Sequence, residues 1–458
     1  MLFLPAVFSF LLLQAPEPHF SVTAGTQAVD LHTFPLGAFA TLEFTSPVDV
    51  EVRTAFDVRW AEVRPKSAGI QAVIGADQHS IRFRVNRALP LTLECNNDLK
   101  RVLHLFFSPP EKNPPAASAP NTRYFAAGMH EAGLIELKDG ETLYLAKGAW
   151  VKGAVRIVGA RGAAILGRGI LDGTALPPRA RNMIYAERTE GLTIQGITIF
   201  NSPGWTVLLR NSRGARIDGV NILNPAPHYG TDGFDLVSST DVVVENAFVR
   251  TNDDCVAIKN LDDVPMSNIT VRKSVFWNMP VGGNALEIGF ELRGAPLSKV
   301  RFEDIDIIRV ERGAAISIHN GDAATVDDVV FDNIRVENAS RKLIDFAVLY
   351  AQYGVDRPAA QEERRRLLDP GGAWDGHLRA TPAERVERAK NRGHIRNVLV
   401  RNLHVVEGAL PYSVIAGFDA GHLVENVTIE GLRYLGRPLR TPAEAKLVTE
   451  HATAVRFR

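Results

Sequence analysis

The sequence predicts an all-β protein: a parallel β-helix preceded by a small N-terminal β-sandwich-like domain. Three observations predict it. A nine-residue pattern occurs eight times from Gly191 onward. The chain before Pro110 breaks into short runs of alternating character separated by turn residues. Between the two lies a stretch rich in Pro, Ala, Ser and Asn, from Ser108 to Arg123.

The elements follow in order. Residues 1–16 hold a short apolar run ending near Leu13, too short to cross a bilayer, which reads as a secretory signal although no Lys or Arg precedes it. The expected location is secreted or periplasmic. Residues 17–110 read as the sandwich, with period-two alternation in "SIRFRV" (Ser80 to Val85). Residues 111–130 form the expected linker. Residues 131–440 form the β-helix, interrupted by a charged, partly helical insertion at about 352–394. There Thr381, Pro382 and Glu384 make a helix start. Residues 441–458 carry a similar start at Thr441, Pro442 and Glu444 and are expected to close the coil as a helix.

Composition narrows the partners. Lys plus Arg and Asp plus Glu both number 52, so the formal charge is zero. That argues against nucleic acid as a partner, which calls for a basic excess. No later stretch approaches the ~18 apolar residues of a membrane helix, so no membrane partner is expected. Oligomeric state is left open. The two cysteines, Cys95 and Cys255, fall in different domains and are expected as small buried thiols. The histidines show no metal-ligand spacing, so neither metal nor cofactor is expected.

The repeat reads "GLTIQGITI" at Gly191, "GARIDGVNI" at Gly214, "DVVVENAFV" at Asp241 and "NITVRKSVF" at Asn268. It returns as "KVRFEDIDI" at Lys299, "DVVFDNIRV" at Asp328, "NVLVRNLHV" at Asn397 and "NVTIEGLRY" at Asn426. Positions two, four, seven and nine are nearly all apolar. Position six is Gly or Asn in six of the copies, the residues that accept left-handed backbone angles. Each copy is therefore two short strands joined by a tight bend. A unit that cannot bury its apolar face alone must stack on its neighbours.

A further strand precedes each block. Phe234 and Leu236 align with Val256 and Ile258, then Leu286 and Ile288, then Ile316 and Ile318. Two residues before each first apolar position stand Asp232, Asp254, Asn284 and Ala314. Stacked strands lie ~4.8 Å apart. Asp232 and Asp254 should thus be neighbours on consecutive rungs, with Asp253 beside them. Crowded carboxylates repel, so at least one should hold its proton near neutral pH. A protonated acid beside an ionised one suits hydrolysis of a glycosidic bond, the first giving a proton to the leaving oxygen and the second taking one from water. The adjacent acids Asp262-Asp263 and Asp327-Asp328 fall in turns and receive no role.

At these residues the sequence resembles the polygalacturonases, glycoside hydrolase family 28. "GTDGFD" and "NDDCVAIK" stand where the family has Asn-Thr-Asp-Gly and Asp-Asp-Cys, and "NSPGWTV" and "ILNP" add to the likeness. The sandwich before the helix is similar to the related dextranase family. The resemblance implies a right-handed coil and an inverting hydrolase of pectin-like polysaccharide. It implies Asp253 as general acid, with Asp232 and Asp254 sharing the activation of water. The sequence also departs from the family: Gly230 replaces its first-motif Asn, Asn284 its histidine, and Ser317-Ile318-His319 its carboxylate-binding Arg-Ile-Lys.

Asn284, Lys259, Glu287, His319, His228 and Tyr229 are the candidate substrate-binding residues. Glu287 is expected to point outward, repelling an acidic sugar, with Lys259 offsetting it. His228 and Tyr229 are expected to wall a subsite, and Trp205 either joins them or packs between rungs. A dextranase-like hydrolase of a neutral glycan, a calcium-dependent lyase and a non-catalytic glycan-binding coil are the competing readings.

Overall fold

The computed structural model describes residues 19–177, 182–225, 227, 229–351 and 381–458. The expected signal segment and most of the insertion lie outside the described residues, as does His228.

The chain divides into two units, one comprising residues up to Arg64 with Gly69–Phe107, the other Pro65–Ala68 with Ser108–Arg458. The first unit contains two five-stranded sheets. At the centre of one, Val48–Thr54 pairs antiparallel with Ser80–Val85. Its alternation does what period two requires. Val50, Val52, Ile81, Phe83 and Val85 are buried, while Arg82 and Arg84 reach outward to Glu51 at 2.9 Å and Asp49 at 2.8 Å. The second sheet buries a full ion pair, Arg64 to Glu94 at 3.0 Å. Cys95 is a free, buried thiol, as is Cys255 in the second unit.

The second unit is a single 30-stranded sheet wound on itself, almost wholly by parallel pairing. It is a right-handed parallel β-helix, the hand that parallel connections take. Three columns of strands run along it. In one, Ile184, Val207, Phe234, Val256, Leu286, Ile316 and Ile344 stack rung on rung. In the others, Ile194 stacks on Ile217 and Val244, and Ile199 on Ile222 and Val249. Phe302 stacks on Phe331 with centroids 5.0 Å apart, close to the rung spacing, and Phe346 of another column packs on Phe331 at 5.6 Å. These side chains are essentially solvent-free. Each contributes roughly 1.5–3 kcal/mol of transfer free energy, which offsets the ordering of the chain into its rungs.

The bend at position six has positive φ in all eight copies, including Lys273 (φ 51) and Asp304 (φ 54), which are neither Gly nor Asn. Position one is a second left-handed corner in every copy, from Gly191 (φ 68) to Asn426 (φ 52). Side chains rail the corners from rung to rung: Asn268 Nδ2 donates to Asp241 Oδ1 at 2.8 Å, and Asn426 Nδ2 to Asn397 Oδ1 at 2.6 Å.

Two boundaries are corrected. The coil begins inside the expected linker, where Thr122–Phe125 pairs parallel with Thr142–Leu145. This outermost rung covers one side only, so its apolar pattern is weak. The C-terminal segment is not a helix. Glu444 N–H does bond Thr441 Oγ1 at 3.2 Å, and the Glu444 carboxylate accepts from Arg440 N–H at 2.8 Å. The turn then stops, and Leu447–Glu450 adds to Tyr412–Ala416 as another parallel strand. A capping signal is local; the open sheet edge beside it offers a whole row of backbone partners. At the other helix start the expected helix forms, over Pro382–Ala389.

Candidate active site

Asp232 and Asp254 stand just ahead of the strands Phe234–Val237 and Val256–Asn260. Those strands pair with Phe234 opposite Val256, and the ladder continues backward through the acids. Gly233 N–H donates to Asp254 O at 2.8 Å, and Cys255 N–H to Asn284 O at 3.0 Å. Buried amides fasten the turns in between. Asn224 Nδ2 donates to Thr206 Oγ1 at 2.8 Å and to Thr231 O at 3.1 Å, and Asn252 Nδ2 to Asn224 O at 2.8 Å.

The structure brings Asp232, Asp253 and Asp254 into one cluster. Asp232 and Asp254 are buried, while Asp253 keeps part of its surface open. Asp253 Oδ2 accepts from Gly230 N–H at 2.7 Å. Asp254 Oδ1 accepts from Asn284 N–H at 2.6 Å and Asn284 Nδ2 at 3.1 Å, and Asn284 Oδ1 accepts from Ala314 N–H at 2.9 Å. Asn284 thus ties three rungs together and fixes one acid.

The cluster holds protons well above the ordinary carboxyl range. Burial, and then the charge of Asp232, push Asp253 up to about 7. Burial also raises Asp254 well above its usual value, with Asp253, Asp232 and Glu287 adding to it. Asp235 is raised by burial and by Asp232. Lys259 Nζ sits 3.2 Å from Asp232 Oδ2 and 3.0 Å from Asp235 Oδ1. Burial pulls the ammonium down, but Asp235, Asp232 and Glu291 more than reverse it, leaving it well above its ordinary range.

Glycine makes room for this turn. Gly283 has φ 78, and a Cβ there would lie 2.3 Å from the Asp253 carbonyl carbon and 2.4 Å from Asp254 N. Neither neighbour can yield, being backbone. Gly283→Ala is expected to cost about 3 kcal/mol of stability, read as a fall in the thermal midpoint.

Three candidate substrate contacts are corrected. Glu287 and His319 are fully buried. His319 Nδ1 is 2.9 Å from Glu287, and Nε2 is 3.0 Å from Asp345, which also takes Lys342 at 2.7 Å. Burial would lower His319, but these two acids carry it up to about 9, so it is an imidazolium at neutral pH. Glu287 turns to His319 and is shut off from solvent, so it presents no outward charge to a sugar; burial raises its carboxyl and His319 opposes that. Alternation along the strand fixes which face a side chain takes, but not what covers that face. Lys259 is also buried, and its ammonium lies 3.8 Å over the Trp205 ring. Tyr229 is 52% exposed and stands against Gly282. Asp235, Asp345 and Asn224 were not anticipated. Asp235 carried a signal, as it lies between interior Phe234 and Leu236 and so must face outward beside the Lys259 column.

Fold and site together define a parallel β-helix protein with a buried carboxyl cluster at the start of one strand column. Residues 145–357, which include every acid of the trio, match the model of glycosyl hydrolases family 28, and the chain resembles that family over this stretch. A polygalacturonase of Juniperus ashei is 26% identical over 165 residues, 35% of this chain and 31% of the relative. The chain spans about a third of the length of the curated relatives it matches. Among solved structures, Dex49A from Penicillium minioluteum is similar with a TM-score of 0.63 at 15% identity, over 88% of this chain and 79% of that one. An exopolygalacturonase from Thermotoga maritima gives 0.50 at 18% identity, over 72% and 83%. At such identities these two likenesses concern the fold alone.

Proposed function

We propose that the protein is an exported polysaccharide hydrolase that cleaves O-glycosidic bonds with inversion, using Asp232, Asp253 and Asp254. The observation that carries the reading is three carboxyls gathered on adjoining rungs, of which Asp253 keeps part of its surface open. Its carboxyl is pushed up to about 7, beside acids on its own and the preceding rung. A general acid works best with its pKa near the working pH. Asp253 gives its proton to the glycosidic oxygen as the C1–O bond breaks. Water attacks C1 from the opposite face, and Asp232 takes the proton that the water sheds. Asp254, fixed by Asn284, orients that water. The cycle ends with Asp253 ionised and Asp232 protonated, and exchange with solvent resets both.

A pectin-like substrate is supported by the family match and by relatives called polygalacturonases. A neutral glycan is the second reading, favoured by one observation. The cations described beside the acids are already paired with the protein's own carboxylates, Lys259 with Asp232 and Asp235, and His319 with Glu287 and Asp345. A uronate polymer would need a free one. Polygalacturonate and dextran, assayed side by side for new reducing ends, separate the two. Proton NMR of the first product is expected to show the anomer opposite to that of the bond cut. Retained configuration would refute the mechanism, and no release from any polysaccharide leaves the non-catalytic reading.

A further inference from the structure

Lys259 was expected at the substrate, yet little of it can reach one. It leaves the strand Val256–Asn260, and its side chain is 6% exposed. Its ammonium is held at 3.2 Å by Asp232, at 3.0 Å by Asp235 and at 3.8 Å by the face of Trp205. An ammonium offers three donors, and here two go to carboxylates while the aromatic face closes another side.

We infer that Lys259 is a positioning residue for hydrolysis: anchored by Asp235 and capped by Trp205, it fixes Asp232 where a water must lose its proton. The inference rests on the hydrolase reading above. Its physical basis is crowding. Asp232, Asp235, Asp253, Asp254, Glu287 and Glu291 all lie within electrostatic reach of the cluster. An acid surrounded by acids in a water-poor site takes up a proton unless a cation stands beside it. A base must also keep one rotamer, and Asp232 Oδ2 is tied by the ammonium. Asp235 completes the grip, since a lysine held by one partner on a flexible four-carbon stem would swing. Trp205 therefore contributes a face to Lys259 rather than to a sugar.

The test uses the full chain on whichever polysaccharide the wild type cuts. Lys259→Met keeps the bulk and removes the charge. It is expected to lower kcat by about 100-fold with KM within about three-fold, the split expected when a group acts only in the transition state. Both limbs of the kcat/KM pH profile should move up by about one unit, because Lys259 lowers the proton affinity of the carboxyls around it. Asp235→Asn loosens the anchor instead, and kcat should fall by about ten-fold with KM within about three-fold, because the ammonium no longer holds Asp232 in one rotamer. This second variant serves if the first fails to fold. A folded Lys259→Met with an unmoved profile, or Asp235→Asn with an unchanged kcat, overturns the assignment while the hydrolase reading stands. A wild type inert on every polysaccharide overturns both.

Discussion

Asp253→Asn is expected to cut kcat by about 1,000-fold, the range lost when a positioned general acid is removed. The amide keeps the shape, and its oxygen can still accept from Gly230 N–H, which holds the carboxylate at 2.7 Å. It has no proton to give to a leaving sugar. Polysaccharide binding should persist, because the substitution leaves the ring of Tyr229 and the other side chains around the cluster unchanged. The loss should be smallest on aryl glycosides whose leaving group departs without help. The measurement is reducing-end release by purified, folded variant and wild type. A variant with the full rate would remove Asp253 from the mechanism.

The same substitution should stabilise the protein above neutral pH. An ordinary unfolded aspartate titrates near 3.9, whereas Asp253 in the folded chain titrates near 7. The folded state therefore binds the proton more tightly than the unfolded one. The stability this contributes is full below the unfolded value and is lost as pH rises through the folded value. Above pH 7 the folded chain carries a buried charge that costs about 4 kcal/mol relative to an unperturbed carboxyl. Asn removes that charge. The melting midpoint of Asp253→Asn should exceed wild type at pH 8, and the difference should vanish near pH 4. Equal midpoints at pH 8 would mean that the carboxyl is not strained there. An acid kept for chemistry at the expense of stability is a common trade at active sites.

How much of this was legible depended on the range over which each signal acts. The strand columns were readable because side-chain phase is absolute: the apolar pairs at Phe234, Val256, Leu286 and Ile316 could stack in one register only, and they do. The juxtaposition of Asp232 with Asp254 followed from it. Corners were readable at Gly and Asn and invisible at Lys273 and Asp304, where stacking imposes a left-handed angle that the residue does not favour. Thr441 and Glu444 carried a real local preference that formed its hydrogen bonds and still yielded to the sheet edge. Glu287 and His319 were assigned the wrong surroundings, since the Phe290 ring stacked on His319 and Asp345 on the next rung close over that face. Asp235 was passed over as part of an apolar run, and its meaning appeared only with Lys259 beside it.

The main-chain rungs, rather than packing among side chains, set the distance from Asp232 to the acid pair: Gly233 N–H meets Asp254 O at 2.8 Å. Segments that leave the coil between strands can then lengthen, shorten or be exchanged without disturbing the reacting groups. Such a scaffold lends itself to loop grafting. A collection of chimaeras with swapped rims would share one chemistry and differ in which polymer they admit.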